Sequence, residues 1–194
     1  MSKTHTTFAF RPRPFAAETL LALRQRDMFA QRAGKDMIIP YREIETIRLF
    51  YAPRGINFSG FRAKIYTRTG KTVSFEDRSH KSLIETERLG DSYRAFITEL
   101  CARAEGANAN VLLYAGKSVT LLALAALLGI AAVVLLALFA WNALHANQTL
   151  ISIGVAAFAI FFAAWTANFV IRNRPRRFTA NTIPAEMLPP PEAG

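Results

Sequence analysis

The sequence predicts an α+β chain: a strongly bent antiparallel sheet or partial barrel capped by one helix, followed by a two-helix transmembrane hairpin. Three observations lead there. Val119–Trp141 and Leu150–Ile171 are apolar runs of 23 and 22 residues without a Lys, Arg, Asp or Glu. Short segments of alternating polarity fill residues 19–75, and one amphipathic stripe follows from Tyr93 to Ala104. A period of two is the mark of a half-buried strand, and a spacing of three and four that of a helix with one covered face.

Residues 1–16 read as a flexible basic arm, because Arg11-Pro12-Arg13-Pro14 cannot be helical and each Pro pushes its predecessor into extended backbone. Thr19, Leu21 and Leu23 then alternate, Asp27–Ala33 follows, and Gly34-Lys35 makes a turn into a return strand at Asp36–Ile39. Pro40 cannot donate to a ladder, so Pro40–Ile44 is a bend or a single helical turn. Thr46–Tyr51 places Ile47, Leu49 and Tyr51 on one face. Pro53, Gly55, Asn57 and Gly60 mark a loop. Phe61–Thr67 turns Phe61, Ala63 and Ile65 inward and Arg62, Lys64, Tyr66 and Arg68 outward. Thr69-Gly70 turns the chain, Lys71 sits in that turn, and Thr72–Phe75 returns with Val73 and Phe75 inward. Glu76–Gly90 is polar and poorly patterned, a loop with a helical turn around Ser82–Arg88. Asp91 reads as an N-cap for a helix whose apolar set is Tyr93, Phe96, Ile97, Leu100, Cys101 and Ala104, ending at Gly106.

Ile39-Pro40-Tyr41 with Ile44, the short strands, the Phe61–Phe75 hairpin and the closing helix together resemble the bacterial pleckstrin-homology-like domains, over roughly residues 17–105. The resemblance implies a bent sheet capped by the helix, and a binding or scaffolding module without catalytic residues or cofactor. Residues 106–118 are then a linker.

At about 1.5 Å per residue each apolar run makes a helix of about 33–35 Å, enough to cross a hydrocarbon core of about 30 Å. A soluble helix needs a polar face, and neither run has one. Asn142–Gln148 joins them tightly, so residues 119–171 form an antiparallel hairpin. The connector lacks Lys and Arg, whereas Lys117, Arg172, Arg174, Arg176 and Arg177 flank the spans on the other side. The positive-inside bias therefore sets both termini in the cytoplasm of a bacterial inner membrane. Residues 1–20 carry Lys3, Arg11 and Arg13 and lack the apolar run of a secretory signal. Small residues on one face of each helix suit close packing within the hairpin or with another copy: Ala125, Gly129 and Ala132 on the first, Ser152, Ala156, Ala159, Ala163 and Ala167 on the second. Asn168 is placed to hydrogen-bond across to the first helix. Residues 172–194 form a basic juxtamembrane patch and an extended Pro-rich tail.

The net charge of +10 is concentrated in residues 1–117, which hold 20 Lys and Arg against 12 Asp and Glu. Beside a bilayer such a surplus favours anionic phospholipid, and nucleic acid ranks behind it. The candidate contacts are Arg62, Lys64, Tyr66, Arg68 and Lys71 on the sheet, with Arg172, Arg174, Arg176 and Arg177 after the hairpin. Nothing assembles into enzyme chemistry. Gly70-Lys71-Thr72 and Gly116-Lys117-Ser118 lack the earlier glycine of a phosphate-binding loop, the three histidines have no metal-ligand spacing, and Cys101 sits on a buried stripe. The expectation is a non-enzymatic membrane protein with a cytoplasmic module that binds lipid or a protein partner. The alternatives are an accessory or assembly subunit of a larger membrane complex and a membrane-tethered nucleic-acid binder.

Overall fold

The computed structural model describes residues 6–53, 60–82 and 85–191. The loop positions Gly55 and Asn57 lie outside them. The chain divides into two units, Met1–Gly116 with Arg176–Gly194, and Lys117–Pro175.

In the first unit, β1 (Thr6–Phe10), β2 (Thr19–Leu23), β3 (Asp27–Arg32) and β4 (Lys35–Pro40) form an antiparallel sheet in that order. The two-residue turn between β3 and β4 has positive φ at both Ala33 (51°) and Gly34 (73°), the handedness that matches strand twist and that glycine adopts without strain. One 3-10 turn at Tyr41–Glu43 leads to β5 (Ile44–Tyr51), β6 (Phe61–Thr67) and β7 (Thr72–Glu76), again an antiparallel meander. β8 (Arg78–His80) and β9 (Thr86–Arg88) make a small hairpin, and α1 runs from Gly90 to Ala107. β10 (Leu112–Ala115) lies parallel to β5, and β11 (Arg176–Arg177) lies antiparallel to β10. The second sheet thus has the order β11-β10-β5-β6-β7.

Both sheets and the helix share one core. Phe8 of β1, Phe75 of β7 and Phe96 of α1 meet with ring centroids 5.4–5.8 Å apart, and Tyr93 joins them. The alternation read from sequence holds: Leu21, Leu23, Ile47, Leu49, Ile65 and Phe75 are fully buried, as is the whole stripe Tyr93, Phe96, Ile97, Leu100, Cys101 and Ala104. Each such side chain contributes about 1.5–3 kcal/mol by leaving water.

Five expectations are corrected. The arm is not loose throughout: Thr6–Phe10 alternates, so Phe8 and Phe10 turn inward while Thr7 and Ala9 stay exposed, and the prolines begin only after the strand. The supposed linker contains β10, whose Leu113 and Ala115 are buried. Within the segment expected to make a helical turn, Thr86–Arg88 is instead β9, paired with Arg78–His80 of β8. The helix begins at Gly90, and its N-cap position is Leu89, not Asp91. The tail is not simply extended: it makes β11 and two 3-10 turns, Ala180–Thr182 and Ala185–Met187, along α1. The Ala180 N–H donates to Glu105 Oε2 at 3.0 Å, the Arg94 guanidinium donates to the Pro189 carbonyl, and Met187 is fully buried. The described strands form no closed barrel.

In the second unit, α2 (Val119–His145) and α3 (Thr149–Arg172) pack antiparallel, joined by Ala146–Gln148. Both are long and apolar enough to cross a membrane, and only 6% and 11% of their most apolar windows are buried. Ser118 caps α2, its Oγ accepting the Leu121 N–H. The close approach centres on Gly129, where an added Cβ would lie 2.5 Å from Thr166 Cγ2. Any side chain there would force Thr166 to move. Gly129, Ser152 and Ala159 of the expected stripes are buried, Ala125, Ala132, Ala156 and Ala163 are half-buried, and Ala167 is exposed. Asn168 is exposed too, since it stands two residues, about 200°, around the helix from the Thr166 that faces Gly129. The polar contact across the hairpin comes from Ser152 instead, whose hydroxyl donates to the Ala140 carbonyl at 2.8 Å. At the open end the Lys117 N–H donates to the Asn173 carbonyl, and the Lys117 ammonium lies 4.9 Å from the centroid of the Phe169 ring.

Candidate functional site

Strand register decides which outward side chains of the five-stranded sheet are neighbours. Residues directly opposite in adjacent strands share a face, so Arg177, Tyr114, Arg48, Lys64 and Ser74 form one row across five strands. Leu112, Thr46, Tyr66 and Thr72 form the next row, and Phe50, Arg62 and Glu76 the row beyond Lys64. The inner side of the same strands carries Ile47, Leu49, Ala63, Ile65 and Phe75, which pins the polar residues outward.

Tyr114 organises the first row. The Arg48 guanidinium lies 4.9 Å from the Tyr114 ring centroid and that of Arg177 lies 5.4 Å from it. Arg177 Nε donates to the Tyr114 hydroxyl at 3.1 Å, and an Arg48 N–H donates to the Gly116 carbonyl at 3.3 Å. Stacking on an aromatic face orients a guanidinium while leaving its charge uncompensated, so both arginines are held and still positive. Lys64 is half-buried beside Arg48 and makes no ion pair among the described residues.

The sequence-predicted contacts separate on this surface. Arg62 belongs to it, but it pairs with Glu76, so its charge is cancelled locally. Lys64 and Tyr66 lie on the sheet face. Arg68 and Lys71 are exposed in the β6–β7 turn, at the end of the strands. Arg176 pairs with Glu186, whereas Arg177 joins the row. Arg172 and Arg174 belong to the other unit. Sequence reasoning missed Arg48 and Tyr114. The signal was the short apolar run Leu112–Ala115 closed by Gly116, a strand pattern hidden in a segment read as linker.

Two buried titratable groups stand apart from this face. Burial pushes the Cys101 thiol up to about 12, with Glu105 adding to the rise, so it is not a thiolate near neutral pH. Asp77 is buried, and desolvation raises its carboxyl above the usual value, although Oδ1 accepts the Phe61 N–H at 2.9 Å. Among the described residues no group of three or more His, Cys, Asp or Glu is placed to hold a metal.

No protein-family model, curated protein or solved structure matches this chain. Its function is therefore argued from the geometry alone.

Proposed function

We propose that this protein is a non-enzymatic, membrane-anchored binding module whose hairpin spans a bacterial inner membrane and whose basic sheet face meets the anionic cytoplasmic leaflet. The observation that carries the reading is the row Arg177, Tyr114, Arg48 and Lys64. Three cations that pair with no carboxylate among the described residues lie in a line on one face, with an amphipathic ring among them, which suits phosphate oxygens at headgroup level. The strands that supply half of that row, β10 and β11, adjoin the two spans in sequence. Their ladder supports a topology with residues 6–116 and 176–191 on one side of the bilayer, and the arginines after α3, set against a connector without Lys or Arg, favour the cytoplasm. The two antiparallel meanders and the helix on their shared core support keeping the pleckstrin-homology-like reading as a proposal, to which β10, parallel to β5, adds a strand that reading did not include.

The test uses the full chain with Ser74→Cys, a position exposed in the row beside Lys64; buried Cys101 gives little background. In nanodiscs, phosphatidylglycerol should slow thiol modification at residue 74 relative to zwitterionic lipid, and salt should restore it. Replacing Arg48, Lys64 and Arg177 together with Gln should remove that protection. In intact cells an impermeant reagent should reach Asn142→Cys and not Ser74→Cys. Equal modification rates in both lipids at low salt overturn the lipid contact, and a stoichiometric integral partner on mild-detergent purification makes the chain an accessory subunit instead.

A further inference from the structure

The inner face of the four-stranded sheet ends in a row unlike the rest of the core. Phe10, Thr19, Arg32 and Lys35 are direct neighbours across β1 to β4, so an aromatic ring, a hydroxyl, a guanidinium and an ammonium all stand on the face that elsewhere carries Leu21 and Met28. Opposite them runs Lys71–Ser74, from the turn into β7, the edge strand of the other sheet. Between the two lies a cleft of about 460 Å3, the size of a small-molecule site.

Its chemistry is two-sided. Phe10, Ala30, Met37 and Val73 give an apolar floor, while Arg32, Lys35 and Lys71 stand at the rim. The one carboxylate in the lining, Asp36, already accepts a hydrogen bond from Gln31 Nε2 at 2.9 Å. Thr19 lines the same cleft, is 5% exposed, and its Oγ1 has no hydrogen-bond partner among the described residues. A buried hydroxyl without a partner costs about 1–3 kcal/mol. Arg32 and Lys35 flank the β3–β4 turn, exposed at the end of a face that is otherwise apolar. An anionic head group held by Arg32 would also bring an acceptor to the hydroxyl of Thr19, its direct neighbour in the sheet register. We infer that the cleft binds a small amphiphilic anion, its medium-length alkyl chain on the apolar floor of Ala30, Met37 and Val73 and its carboxylate or phosphate held by Arg32, Lys35 and Lys71 beside the Thr19 hydroxyl.

The full chain in zwitterionic nanodiscs would be irradiated with an octanoate carrying a terminal diazirine, and the cross-linked peptides mapped. Labelling should fall on the segments holding Met37 and Val73. Excess octanoate or octyl phosphate should suppress it, the stronger of the two identifying the head group. Octanol and inorganic phosphate should not, because each supplies one half of the chemistry. Arg32→Gln with Lys35→Gln, both at exposed positions, should cut labelling by about tenfold, the equivalent of about 1.4 kcal/mol. Thr19→Val keeps the shape and removes the unpaired hydroxyl, and should lower labelling while raising the melting temperature. Labelling confined to residues 119–172, or suppression by octanol or by inorganic phosphate as strong as that by the amphiphilic anions, would overturn the proposal.

Discussion

In the four-stranded sheet each strand pairs with its neighbour in sequence, and a tight turn sets at least one register, Arg32 opposite Lys35. In the five-stranded sheet only β5, β6 and β7 are built that way. β10 reaches β5 across α1 and the β8–β9 hairpin, and Arg177 pairs with a Tyr114 that is 63 residues earlier. A turn of two residues costs little entropy and leaves few alternative registers. A ladder closed over so long a loop must be repaid by burial, since closure entropy grows with loop length. The tail meets that cost with Met187, Leu188 and Phe178, all buried, rather than with the two residues of β11. The lesson is that a strand too short to hold itself is held by the apolar side chains downstream of it.

That contrast can be broken at its centre. Phe96 touches Phe8 of one sheet and Phe75 of the other, so Phe96→Ala should cost about 3–5 kcal/mol and raise amide exchange in both sheets together. Thr98→Ala, exposed on the far side of α1, should stay within about 0.5 kcal/mol. Exchange rising in one sheet alone would mean that the two do not depend on one core.

Met187→Ala sharpens the comparison. It should cost about 2–5 kcal/mol, and hydrogen-exchange mass spectrometry should show the loss in β5 and β10 before β1–β4. Uniform loss would show that the tail supports the whole unit.

The smallest effect concerns Asp77, whose carboxyl is raised by burial, so the folded state holds its proton more tightly than the unfolded chain. Stability from this group is greatest below the unfolded carboxylate range and falls as pH rises through the folded value. Asp77→Asn retains an oxygen for the Phe61 N–H and carries no charge. It should therefore melt higher than the parent near neutral pH, with the gap closing in acid. A gap that widens in acid would reverse the sign of the argument.

How much was legible follows from the same division. The strands from Thr19 to Glu76, the stripe of α1 and both apolar helices are local patterns, and local patterns can be read from sequence. β10 and β11 are four and two residues long, too short for periodicity, and only their long-range partners make them strands. The row through Tyr114 was therefore invisible, while its Lys64 was not. β1 was obscured for another reason: Arg11-Pro12-Arg13-Pro14 drew the reading of a segment whose preceding residues, Thr6–Phe10, alternate clearly. In the hairpin Gly129, Ser152 and Ala159 of the small-residue stripes are buried and Ala167 is exposed, because which residue meets Gly129 depends on the axial offset of two helices, and the sequence does not encode that offset locally.

The ladder between β10 and β11 also bears on the order in which the molecule is completed. The ribosome delivers β1 through β10 first, then both spans, and only afterwards Arg176 and Met187. Until that moment one edge of β10 is bare and the seat of Met187 is empty. On the topology proposed above, a chain that crossed the bilayer once instead of twice would carry its tail to the opposite side and leave that edge open. Bare strand edges and unfilled apolar seats are what quality-control proteases and chaperones respond to. In the proposed double crossing, the last strand of the sheet forms only in a chain whose two ends lie on the same side of the bilayer.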